Sequence, residues 1–416
     1  MKRILPALAL VATTWAAPAS AQEPAGTPGE SLRVSLVTMG PGAPVWEQFG
    51  HNAIMIEDGA TGEARWYNYG MFDFAAADFW PRFARGDMRY WMARDDAGAS
   101  LRMYIRANRS VWVQELDLTA DERAAMRDYL VWNELPENRF YAYDYFRDNC
   151  STRVRDALDR VLGGALRAAT ESLPAATTWR DDVRRLTAAD PWVYTGTELT
   201  MARPTDAPIT RWAAMWLPSA VRQEVRALRR TGPDGVERPL VKAETTLFLS
   251  TTPEPLAAPP TRWPWYLLIG VLGGGAMAWL GRRSGDGRAA RIGFGMLGSA
   301  WSFLAGLGGV VLAGLWLLTN HTAAHGNENL FQFSPLSLVM LVALPLALRT
   351  PRTAHPRSAR LALALVVLSA IGLLLKLLPG ASQMNWEIIA LALPLHLGLA
   401  AGLTAHLGVP GPQSSP

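Results

Sequence analysis

The sequence predicts an α+β domain with a largely antiparallel sheet, followed by an all-α membrane domain of five helices. Three observations carry this. Half of the 416 residues are hydrophobic although the mean hydropathy is only +0.06, so the apolar residues are concentrated in one part of the chain. From Trp263 onward, five apolar stretches each approach the roughly 20 residues needed to cross a bilayer. Before Trp263, short β-rich segments alternate and are bounded by turn residues, with capped helices between them. Charge divides the chain in the same place. Residues 22–260 hold 28 basic and 33 acidic residues, whereas residues 261–416 hold 10 and 3. The pI near 9.3 therefore comes from arginines beside membrane spans and does not point to nucleic acid.

The chain opens as an export signal over residues 1–21: Lys2 and Arg3, an apolar run from Ile4 to about Ala17, then Ala19-Ser20-Ala21 as a cleavage site. An uncleaved anchor is the alternative, although the run is short for a span. No lipidation cysteine follows.

Residues 22–250 form the exported domain. Ser31–Thr38 alternates as a strand, and Asn52–Glu57 and Ala64–Tyr69 flank a turn-rich Asp58–Gly62 hairpin signal. Met88–Arg94 and Val111–Leu118 are further strands. Thr119 and Glu122 form a capping box that opens a helix to about Glu134, before Pro136. A second helix runs from Cys150 to Leu162 and stops at Gly163-Gly164. Residues 165–250 read as an irregular, mostly helical extension, and 251–262 as a Pro-rich, stiff linker.

The spans are expected at about 263–281, 292–318, 330–348, 361–378 and 386–405, with 406–416 as a cytoplasmic tail. Arg282, Arg283, Arg288 and Arg291 lie between the first two spans; Arg349, Arg352, Arg357 and Arg360 lie between the third and fourth. The positive-inside rule places both loops in the cytoplasm and the exported domain outside. Lys376 and Glu387, near span ends, are expected to snorkel. His396, within the fifth span, is expected to make a polar contact between helices.

Cys150 is the single cysteine, so no intramolecular disulfide can form. It opens a helix, where the dipole and unpaired N–H groups lower a thiol pKa and can hold an oxyanion. A buried core cysteine is the bland alternative. A thiolate nucleophile needs a base, and the exported domain has one histidine, His51, at the start of a strand after Gly50. If the hairpin folds about Gly59-Ala60, residue 51 faces 68 or 69, which makes Asn68 the residue to orient the imidazole, with Asp73 as runner-up. Tyr145, Asp148 and Asn149 precede the nucleophile and could line an oxyanion site or cap the helix. Arg153 could meet a lipid phosphate or pair with Asp144 or Asp156. His321, His325, Asn327 and Asn329 are expected in a polar loop near headgroups. With only Glu328 beside the two histidines, no metal or other cofactor is implied.

Gly50-His51 leading a strand, Tyr67-Asn68-Tyr69-Gly70 with Phe72-Asp73-Phe74, Pro136-Glu137-Asn138, and Tyr143-Asp144-Tyr145-Phe146 running into Asn149-Cys150-Ser151-Thr152-Arg153 resemble the Lnb N-terminal periplasmic domain family. The resemblance covers residues 31 to about 225, and the five-span half resembles the accompanying transmembrane domain. It implies a permuted papain-like fold of the NlpC/P60 type, with histidine before cysteine in the chain. It also implies a lipoprotein N-acyltransferase of the bacterial inner membrane, taking acyl from a phospholipid donor through Cys150, with His51 as base, to the N-terminal amine of lipoproteins. A membrane-tethered peptidoglycan peptidase or amidase with the same pair, and a non-enzymatic envelope scaffold, are the competing readings.

Overall fold

The computed structural model describes residues 27–232, 234–285, 287–349, 356–380 and 383–408. The expected signal, Arg352 and the tail beyond residue 408 lie outside them. The exported part is built on a seven-stranded antiparallel sheet in the order β6-β4-β3-β2-β1-β5-β9. Its strands are β1 (Leu32–Met39), β2 (His51–Asp58), β3 (Glu63–Met71), β4 (Arg89–Asp96), β5 (Val111–Leu116), β6 (Phe140–Ala142) and β9 (Val241–Phe248). A separate pair, β7 (Arg229–Thr231) and β8 (Glu237–Pro239), leads into β9. The helices are α1 (Phe79–Arg85), α2 (Ala97–Arg106), α3 (Ala120–Glu134), α4 (Cys150–Val161), α5 (Ala165–Thr170), α6 (Trp179–Leu186), α7 (Pro191–Thr200), α8 (Arg211–Ala214) and α9 (Pro218–Ala227).

Period-2 alternation gives the sheet two apolar faces. On one face Val34, Leu36, Ile54, Ile56, Tyr67, Tyr69 and Met92 pack under α3 and α4, against Met126, Leu130, Val154 and Leu158. Val37, Met39, Ala53 and Trp66 face the other way, toward Tyr104 of α2. The expected capping box of α3 forms as read, Thr119 with Glu122. The 165–250 region departs from expectation at its end. Val241–Phe248 is a strand, paired with β5 at the sheet edge. Its sequence hid this because an edge strand exposed along most of its length needs no apolar alternation.

Five helical segments are long and apolar enough to cross a membrane: Trp263–Arg283, Arg288–Leu318, Glu328–Arg349, Arg357–Leu377 and Trp386–Leu407. We label the α-helical parts α10 (Trp263–Arg283), α11 (Arg288–Leu318), α12 (Met340–Arg349), α13 (Pro356–Leu374) and α14 (Trp386–Leu407). The third span is not one continuous α-helix, because short 3-10 turns at Glu328–Phe331 and Pro335–Val339 precede α12. Helices α10 and α14 approach at backbone distance: a Cβ on Gly274 would lie 2.2 Å from the Pro394 carbonyl oxygen, and one on Gly398 would lie 2.1 Å from that of Gly274. Close backbone approach through small residues is how helices associate where the hydrophobic effect does not drive them together. His396 makes the expected polar contact. Its Nε2–H donates to the Gln332 carbonyl at 2.8 Å, and its Nδ1 accepts from Trp301 at 3.3 Å.

Lys376 and Glu387 do not snorkel. Lys376 pairs with Glu328, and Glu387 accepts from Arg184 of α6 at 3.0 Å, with both side chains of that second pair largely buried. Asn327 and Asn329, expected near headgroups, are also buried. Asn327 donates to the carbonyls of Leu199 and Thr200, and Asn329 to those of Glu198 and Leu199. These are last-turn carbonyls of α7, which lack partners within their own helix. The loop is a cap for the exported domain.

Candidate active site

The site lies at the end of the β2–β3 ladder. That ladder runs from Asp58–Glu63 to Ala53–Asn68, so His51 and Gly70 lie beyond its last pair. The expected hairpin register is off by one or two positions, since continuing the ladder sets residue 51 opposite 70. Asn68 nevertheless reaches the imidazole diagonally, with its Oδ1 3.2 Å from His51 Nε2. Its Nδ2 donates to Asp95 Oδ2 at 2.9 Å. An ionised carboxylate only accepts, so Asn68 must turn its amide nitrogen to Asp95 and its oxygen to His51. His51 then carries its proton on Nε2 and presents the Nδ1 lone pair. Asp73, the runner-up, is occupied in its own turn, accepting from the Ala75 N–H at 2.8 Å.

Cys150 begins α4 and packs against the helix-facing core. Its Cβ lies against Gly70: a Cβ on that glycine, whose φ is +84°, would be 3.2 Å away. Ser151 Oγ is 3.9 Å from the sulfur, and the backbone N–H of Asn52 also faces it. The expected thiol–imidazole hydrogen bond is not present among the described residues. Alternation along β2 places His51 with Ala53 and Met55, whereas Cys150 approaches from the α4 side. The two groups therefore share the sheet end, and β2 itself links them through His51 and Asn52.

Electrostatics correct a further expectation. Burial pushes the Cys150 thiol up, and this outweighs the hydrogen bonds from Ser151 and Asn52 and the more distant charge of Arg109. Burial, with Arg109 adding to it, lowers His51 to about 4 despite the Asn68 hydrogen bond. Both groups rest neutral near pH 7. The helix N-terminus is also less open than expected. Asn149 Oδ1 accepts from the Ser151 and Thr152 N–H groups, and its Nδ2 donates to the Tyr145 and Trp216 carbonyls. Asn149 is thus a fully engaged cap. Arg153 pairs bidentately with Asp148, at 2.5 and 2.6 Å, rather than with Asp144 or Asp156, and lies over the Tyr141 ring.

Tyr145 is partly exposed and stacks on His321, with ring centroids 6.0 Å apart. His321 Nε2–H donates to the Phe83 carbonyl, and His325 Nε2–H to that of Thr319, each at 2.9 Å. The loop after α11 thus touches the residues leading into Cys150. Sequence reading missed Asp95 because it ended β4 at Arg94, and the register that sets Asn68 against Ala93, two residues before Asp95, is known only from the structure.

Residues 24–188 match the family described as the Lnb N-terminal periplasmic domain, and residues 289–406 match the Lnb transmembrane domain. No curated protein matches the chain, and no solved structure does. Two matched domains in order, with residues 189–288 between them, make this chain a member of the Lnb-like family, a multi-pass inner-membrane protein with a periplasmic domain.

Proposed function

We propose that the protein is a thiol-dependent lipoprotein N-acyltransferase. The observation that carries the reading is a partly buried thiol at a helix start, at the same sheet end as an Asp95–Asn68–His51 relay and close to the membrane loop. In this mechanism the Cys150 sulfur attacks an ester carbonyl of a phospholipid as His51 Nδ1 takes the thiol proton. The tetrahedral intermediate collapses to a Cys150 thioester, and the proton goes to the departing lysophospholipid oxygen. The α-amine of a lipoprotein then attacks the thioester, an amide forms, and the thiol regains its proton. No cofactor enters these steps. For this step the His51 imidazole has to swing round the end of β2 to the α4 side as substrate binds, because without substrate it lies on the other face and makes no hydrogen bond to the thiol. Histidine preceding cysteine also fits the permuted NlpC/P60-type arrangement.

The test is mass spectrometry of lipoprotein N-termini in a strain depleted of its own N-acyltransferase. The wild type should restore N-acylation. Cys150→Ala should abolish it, and His51→Ala should lower it roughly 10²–10⁴-fold. N-acylated lipoproteins in the Cys150→Ala strain would refute the mechanism. A changed muropeptide profile without N-acylation would favour the peptidoglycan reading instead.

A further inference from the structure

Between the thiol and the membrane loop lies a cluster of aromatic rings that the mechanism does not use. Phe72, Phe74, Phe79, Trp80 and Phe83 stack edge-to-face or in parallel, with centroids 4.7–6.2 Å apart. Trp80 is 60% and Phe74 40% exposed, an unusual use of large rings on a face turned to water. Beside them is a cleft of about 170 Å³ whose apolar lining includes Phe79, Phe83, Tyr90, Trp91 and Phe140, with Asp73 and Asp78 also on its wall. Tyr90 stacks on Tyr143 at 4.3 Å, and Tyr143 packs on the same core as Cys150. The rings therefore run from the cleft toward the thiol.

The height of this cluster is fixed by backbone contacts. The Asn320 N–H donates to the Arg85 carbonyl at 2.8 Å, and Gly86 lies against Asn320 and His321. Asn320 is two residues past the end of α11, whose last residues, Leu317 and Leu318, are themselves exposed. Helix α1 is consequently held at the bilayer boundary, where aromatic side chains concentrate. Two cations complete the picture. Arg85 and Arg89 are exposed, and neither has a carboxylate partner among the described residues; Arg89 lies over Phe140 at 3.9 Å.

Resting on the acyl-transfer reading, we propose that the α1 aromatic cluster and its cleft receive an acyl chain of a membrane phospholipid, with Arg85 and Arg89 meeting its phosphate. The cations select the source. A phospholipid brings a phosphate to this rim, whereas the diacylglyceryl group of a lipoprotein does not.

The test uses the full chain in nanodiscs containing phosphatidylethanolamine with a diazirine at the end of one acyl chain. After irradiation, cross-links are mapped by mass spectrometry. A parallel sample carries the same diazirine on a diacylglyceryl-cysteine peptide. The expected result is phospholipid cross-links within residues 72–91 in wild type and in Cys150→Ala, and several-fold fewer in Trp80→Glu and in Arg85→Glu/Arg89→Glu. Cross-links confined to the spans, or reaching residues 72–91 only from the lipopeptide, would overturn the proposal. Because cross-linking needs no turnover, it is read independently of whether Cys150 proves to be the nucleophile.

Discussion

Two chemistry-bearing residues were legible because they are rare, one cysteine in the chain and one histidine in the exported domain, whereas Asn68 was reached through a hairpin register that is off by one or two positions. Asp95 was not legible, since a second acid follows it and either could have been a solvated strand end. Its role depends on a diagonal contact across β3 and β4 that only the register supplies. The electrostatic state was also hidden, because a helix N-terminus argues for a low thiol pKa and only the packing shows that burial wins. Two pH effects follow. Alkylation of Cys150 by iodoacetamide tracks its thiolate, so the rate should keep rising past the ordinary thiol range, with no acidic plateau. A plateau reached below pH 7 would mean a preformed ion pair. His51 titrates at about 4 in the fold and near 6.5 when unfolded. The unfolded chain binds the proton more readily, so the fold should lose stability as pH falls from about 6.5 to 4. Thermal unfolding across that window should show a shallower pH dependence in His51→Ala.

At the scale of elements, the strand–turn–strand signal and the Thr119–Glu122 capping box could be read because turn and cap residues act locally, within three or four positions. The bulge in β3 could not. The β3–β4 register shifts between Asn68 and Met71, and Gly70 adopts φ +84° there. That left-handed residue turns the end of β3 away and leaves room for Cys150. A side chain at position 70 would meet both strain and contact. Gly70→Ala should therefore cost about 1–2 kcal/mol from the backbone alone, plus whatever displacement of α4 the Cys150 contact forces. The expected outcome is a lowered melting temperature in detergent together with a changed alkylation rate at Cys150. An unchanged rate in a folded Gly70→Ala protein would show that the bulge does not set the thiol's position. The same limit hid β9, whose pairing with β5 is held by main-chain bonds that leave no side-chain pattern.

For the molecule as a whole, composition alone gave the division into an exported domain and five spans, because bilayer thickness imposes long apolar runs whatever the fold. How the two parts join was invisible, since the contacts are distant in sequence and each partner has an ordinary explanation by itself. Arg184 is the centre of the junction. It donates to Glu198 at 2.6 and 2.9 Å, to Glu387 of α14 at 3.0 Å and to the Met384 carbonyl at 2.9 Å. Arg180 pairs with Asp206 and lies 3.6 Å from Glu198, and Tyr194 donates to Glu387. A buried charge that loses its partner is costly, so Arg184→Met should destabilise the protein by about 3–5 kcal/mol. Glu198 would keep Arg180, whereas Glu387 would keep the Tyr194 hydroxyl and its own backbone N–H but no cation among the described residues. Neutralising that orphan should help: Arg184→Met/Glu387→Gln is expected to recover much of the loss, and Glu387→Gln alone to cost less than Arg184→Met. Melting temperatures of the four proteins in one detergent complete the cycle. If the double variant lost the sum of the two single losses, the two residues would not be coupled, and the junction would rest on the loop's backbone contacts to α7 instead. If coupling is found, loss of the proposed N-acylation in Arg184→Met at temperatures where it stays folded would tie that activity to the orientation of the thiol domain on its spans.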